Sequence, residues 1–120
     1  MIIALTTLSV FSLIMSAIAQ DNDIQDSTAH EYSSYCAKCH GEDGRGDGIY
    51  AQKLHTHPRD FTNCAVMAPI ADKTIVKAIE QGGNAVGLSN EMPGWQGALD
   101  DDEIAALAKY IRGFCKGSHN

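Results

Sequence analysis

"SYCAKCHGEDGRGDG", residues 34–48, sets Cys36 and Cys39 two residues apart, puts His40 directly after the second, and runs on in glycine and charge. Two thiols and an imidazole so spaced could do three kinds of chemistry. A structural zinc site needs two further nitrogen or sulfur ligands, drawn as a rule from a second knuckle or an H-x(3–5)-H pair. Cys64 and Cys115 stand alone, and His55 and His57 are too close together for that pattern. A thioredoxin-like dithiol follows a strand and opens a helix, whose dipole lowers the pKa of the first thiol. Here the motif ends a helical pattern and no strand precedes it. The third reading is C-x-x-C-H, the spacing of c-type haem attachment. Both sulfurs add across the haem vinyl groups, and a helical turn brings Cys36 and Cys39 to one face from which both reach the porphyrin edge. His40, next along the chain, then turns under the ring to ligate iron.

An iron held by one histidine has a sixth position to fill or to leave for a substrate. The candidates are Met67, Met92, His30, His55, His57 and His119. Met92 lies in "NEMPGWQG", where Pro93 and Gly94 restrict and turn the backbone just after a sulfur that completes no helix face. Met67, in "CAVMAPI", is its rival, and either methionine could instead be a gap-filling hydrophobe. A thioether opposite histidine favours reduced iron and raises the potential, which suits an electron carrier. No nucleophile–base pairing or phosphate loop suggests an enzyme. "GEDGRGDG" lacks the Lys-Ser/Thr ending of a P-loop and follows no strand. Its glycines predict a backbone passing tightly round the haem.

The elements that must position these residues read as helices. Asp26 and Ser27 offer N-cap oxygens ahead of Ala29, Tyr32, Cys36 and Cys39, predicting a first helix over 27–39. Residues 41–69 hold Gly41, Gly44, Gly46, Gly48, Pro58 and Pro69 with little periodicity and predict mostly ordered loop, with a short helical turn near 49–54. Asp72 is placed to cap a second helix over 73–81, with Ile75, Val76 and Ile79 on one face and Gly82-Gly83 as the stop. Asp100 and Glu103 form a D-x-x-E capping box ahead of Ile104, Leu107, Ala108, Ile111 and Phe114, predicting a last helix over 101–115. No segment alternates as a strand would. The expected class is therefore all-α.

The chain of 120 residues opens on "MIIALTTLSVFSLIMSAIAQ", an apolar run with no charged side chain before Asp21. Ala17-Ile18-Ala19 has the small-x-small pattern of a signal-peptidase site, so residues 1–19 read as a signal peptide and 20–120 as one domain. An uncleaved anchor is the alternative, since roughly 17–25 apolar residues can span a bilayer. A cleaved leader predicts a periplasmic protein with no membrane insertion. The nine Lys and Arg against fifteen Asp and Glu give a formal charge of −6, which argues against binding nucleic acid through phosphates.

With "PRDF", "IEQGG", "GLSNEMPGW" and "LDDDEIAALAKYIRGF" following "CAKCHGEDGRGDG" in that order, residues 30–115 resemble a class I c-type cytochrome. The resemblance implies three to four helices wrapped around one covalently attached haem c per chain, and transfer of single electrons between redox partner proteins. Cys36 and Cys39 match the thioether cysteines, His40 the proximal ligand and Met92 the distal one. Tyr110, Ile111 and Phe114 should pack on the first helix and the haem. Pro58 or its neighbour is expected to offer a carbonyl to His40 Nδ1, and Arg59 or Trp95 to donate to a haem propionate. Each also has an ordinary reading: a turn, a charge pairing Asp60, a core aromatic. Tyr50, Leu54 and Phe61 are expected as pocket packing. Cys64 and Cys115, which the family's simplest pattern lacks, read as a disulfide in an oxidising compartment. The alternatives to a free electron carrier are a subunit held permanently by a dehydrogenase or oxidase, and a haem enzyme or gas-binding protein with an open sixth position.

Overall fold

A computed structural model describes residue 17 and residues 19–117. Apart from Ala17 and Ala19, the expected leader lies outside the described residues, as does His119. Among the described residues no helix is long and apolar enough to cross a membrane.

The architecture is all-α; the described residues form no strand, only an isolated bridge between Gln96 and Leu99. Helix α1 (19–31) continues through a π-helical segment, Tyr32–Cys36, into α2 (Ala37–His40). This stretch begins well before the expected start at 27. Neither Asp26 nor Ser27 caps it, since both lie inside the helix; the hydroxyls of Ser27 and Thr28 donate back to the Ile24 carbonyl, at 2.9 and 2.8 Å. A four-residue helix that periodicity could not reveal, α3 (Cys64–Met67), is capped by Asn63, whose side chain accepts from the Val66 N–H. Helix α4 (Asp72–Gln81) starts one residue earlier than predicted, so Asp72 sits in its first turn, with Ala71 as N-cap. There Asp72 complements the helix dipole rather than capping it. Helix α5 (Asp101–Lys116) closes its predicted capping box: Glu103 N–H donates to Asp100 Oδ1 at 2.9 Å, and Asp100 N–H to Glu103 Oε2 at 2.7 Å. Short 3-10 turns occupy Ala51–Lys53 and Gly83–Val86.

The core forms where Tyr32 meets α5. Its ring lies 5.2 Å from Tyr110 and 5.0 Å from Phe114, and its hydroxyl donates to the Gly41 carbonyl at 2.9 Å. Ile104, Leu107, Ala108 and Ile111, recurring at three- and four-residue steps, bury the inner face of α5. Ile75 and Ile79 of α4 join the same cluster.

Candidate functional site

A helix end leaves its last four carbonyls without intrahelical partners. At α2 the loop that follows satisfies all four: Gly41 N–H donates to Ala37 O, Tyr50 to Lys38 O, Gly48 to Cys39 O and Gly46 to His40 O, at 2.7–3.1 Å. Gly48 is needed for this approach, because a Cβ there would stand 2.4 Å from the carbonyl oxygens of both Ala37 and Lys38. The glycine-rich segment thus wraps the end of the CAKCH helix. It does not pass round the large cavity as the sequence suggested, for none of residues 41–49 lines it. The wrap fixes the pitch and direction of the turn that carries both thiols and the imidazole.

That turn forms one wall of a cavity of about 890 Å3, within the range of about 300–1,000 Å3 usual for ligand and cofactor pockets. Cys36, Cys39 and His40 all line it. Met67, Met92, Arg59 and Trp95 line it too, so the residues assigned to haem from sequence converge on one space. Tyr50, Leu54 and Phe61 contribute to its walls as expected. Of the histidines proposed for the sixth position, His57 borders the cavity, whereas His30 and His55 are exposed and do not.

His40 is fixed in orientation by two contacts. Its Nδ1 lies 3.2 Å from the Arg59 carbonyl, the neighbour of Pro58, and its ring stacks on Phe61 at 4.4 Å. A proton on Nδ1 facing that carbonyl leaves Nε2 with its lone pair, the form that binds metal. Burial lowers the His40 pKa and keeps the imidazole neutral. The cysteines are less suited to disulfide exchange. Burial, with smaller contributions from Cys39 and Glu31, pushes the Cys36 thiol up to about 12, so it would stay protonated at neutral pH.

The donor set fits a haem: two adjacent thiols for its vinyl groups, a neutral imidazole and a thioether, between apolar walls that include Ile75, Ile79 and Ile111. Tyr35, Tyr50, Val66 and Leu88 present exposed apolar side chains to the same cavity, surface that a flat macrocycle would cover. A sequence model of the family described as "Cytochrome C oxidase, cbb3-type, subunit III" matches residues 23–111, most of the chain. The chain belongs to that family. It is a class I c-type cytochrome and, as such, a haem electron-transfer protein with covalently bound haem c. Among solved structures, the cytochrome is similar to the KustC0563 c-type cytochrome: 27% identity, a TM-score of 0.58, and coverage of 72% of this chain and 94% of that one. No curated protein matches it.

Contacts at four residues of the cytochrome have no counterpart in the sequence reading. The Trp95 ring packs tilted against Tyr35, ring centroids 5.0 Å apart, and the Trp95 backbone N–H donates to the Ile79 carbonyl. Arg59 and Asp60 do not pair as one reading had it; Asp60 Oδ1 accepts instead from the N–H and hydroxyl of Thr62. Arg112 reaches from α5 to Asp72 and to the carbonyls of Met67 and Ile70. Glu91 gathers donors from residues 35 and 36 positions away, a separation that no local pattern could signal. Cys64 and Cys115 meet as the sequence pairing requires, with Cα atoms 5.0 Å apart.

Proposed function

We propose that this cytochrome carries single electrons between exported redox proteins with one haem whose iron is held by His40 and Met92. The observation that carries the reading is the convergence of Cys36, Cys39, His40 and Met92 on one cavity. When bound, the haem supplies an iron that cycles between ferric and ferrous states, one electron at a time. The protein's part is to hold that iron nearly still. Cys36 and Cys39 tether the macrocycle, Arg59 O orients His40, and the apolar walls exclude water and limit reorganisation.

Met92 is favoured over Met67 by their settings. Met67 is 2% exposed, completes α3 and packs in the core cluster, so its side chain has a structural duty. Met92 is partly exposed in a loop where no helix face needs it. Arg59 and Trp95, bordering the cavity, are the residues assigned to the propionates. A periplasmic location follows from the leader-like N-terminus and the exported setting of this kind of haem attachment. The same setting supports a Cys64–Cys115 disulfide.

The test is Met92→Ala. The variant should bind carbon monoxide promptly when reduced and show a lower reduction potential than the parent. If parent and variant bind the gas alike and share one potential, Met92 is not a ligand. A second reading, a subunit held permanently in an oxidase, draws support from the matching family's description. Size-exclusion chromatography of protein from its native host separates the two, a free carrier eluting near its own mass.

A further inference from the structure

Glu91 immediately precedes Met92, and its carboxylate joins the nearby Ser89 to a distant stretch of chain. Oε1 accepts from the His55 backbone N–H at 2.9 Å and lies 3.0 Å from His55 Nδ1. Oε2 accepts from the Thr56 backbone N–H at 3.0 Å and from the Ser89 hydroxyl at 3.2 Å, while Ser89 Oγ accepts from the Glu91 N–H. Both oxygens are therefore engaged, and two of the donors are main-chain groups that stay in place whatever side chains surround them. Hydrogen bonds to a carboxylate are roughly twice as strong as neutral ones.

The placement matters more than the strength. Residues 55–56 lead directly into His57-Pro58-Arg59, and the Arg59 carbonyl orients His40. On its other side the Met92 loop is pinned by its own backbone: Met92 O accepts from Gly83 N–H at 3.0 Å, and Trp95 N–H donates to Ile79 O at 2.8 Å. Those bonds fix the loop to α4 and the turn after it. Among the hydrogen bonds of the described residues, those of Glu91 join the Met92 loop to the segment that carries the proximal histidine's partner.

We propose that Glu91 is a positioning residue for the distal ligand: its carboxylate clasps the 55–56 main chain to the Met92 loop and so keeps the Met92 thioether seated in the cavity. This rests on Met92 being the sixth ligand. Without the clasp, the loop swings away while still attached to α4, and an external ligand enters the sixth position more often.

The experiment uses haem-loaded protein with covalent attachment verified by mass. Parent, Glu91→Ala, Glu91→Gln and Met92→Ala are compared for the rate at which imidazole binds the ferric iron. Glu91→Ala should bind about tenfold faster than parent or more, the scale of losing one hydrogen bond to a charged group. Met92→Ala should be faster still, and Glu91→Gln should fall between parent and Glu91→Ala. If Glu91→Ala fails to mature, Glu91→Gln carries the comparison, since its NH2 cannot accept from the backbone donors. Parent-like rates in the Glu91 variants beside a fast Met92→Ala would overturn the clasp and leave Met92 as the ligand. A parent-like Met92→Ala would overturn both. A role in folding alone would lower the unfolding midpoint with no change in imidazole rate well below it, and that result also counts against the proposal.

Discussion

At the scale of single residues, the candidate covalent and ligating groups were legible because their signals are local. Cys36, Cys39 and His40 are read from spacing alone, and Met92 from the turn residues that follow it. What sequence missed at this scale acts over distance, as Glu91 does on His55 and Thr56. Glu31 is a further case. Its Oε2 is buried without a hydrogen-bond partner, and its pKa is raised by burial and by the carboxylates of Glu103 and Asp100, with His30 opposing. A carboxyl whose folded pKa lies above its unfolded value destabilises the fold when ionised, and this penalty vanishes once both states are protonated. Glu31→Gln should therefore raise the urea midpoint at pH 7. The gain should fade as pH falls through the raised folded value and be gone below the ordinary value of 4.5. A gain that persisted at pH 3 would show that shape rather than charge sets the effect.

At the scale of elements, the long helices were legible because each carries an apolar stripe and a stop signal. The D-x-x-E box at Asp100 and the Gly82 stop both formed as read. Helix α3 was not legible, since four residues cannot establish a period. Nor was the π-helical Tyr32–Cys36, a local widening that a period of 3.6 does not signal and whose Tyr32 packs against α5. The glycine run was misread for a related reason: its partners are the carbonyls of α2, which sequence places nearby without saying which way the chain returns. The junction of α3, α4 and α5 rests on Arg112, which donates to Asp72 at 2.7 Å, to the Met67 carbonyl at 2.6 Å and to the Ile70 carbonyl. Arg112→Ala leaves these acceptors without a charged donor and should cost about 1.5–3 kcal/mol in chemical denaturation. Arg112→Lys, which cannot fork to several acceptors, should recover less than half of it. A loss below about 0.5 kcal/mol would mean that water replaces the guanidinium without penalty.

At the scale of the whole molecule, a short chain encloses a large cavity, so its stability must lean on the group the cavity holds and on long-range ties. The proposed Cys64–Cys115 bond is such a tie, joining positions 51 residues apart and pinning α3 to the end of α5. In the chain-entropy account a loop of this length contributes roughly 4 kcal/mol. Cys64→Ser with Cys115→Ser should lower the stability of the haem-loaded protein by about that amount while leaving its visible spectrum unchanged. Two titratable thiols in the unfolded, unreduced parent would instead show that the bond does not form. The central claim concerns the haem itself, and intact-mass analysis with peptide mapping of the exported protein tests it most directly. The account predicts a chain shortened by its leader and carrying the added mass of one haem, all of it on the peptide that contains Cys36, Cys39 and His40. A haem-free chain with Cys36 and Cys39 as thiols, or joined to each other, would contradict it.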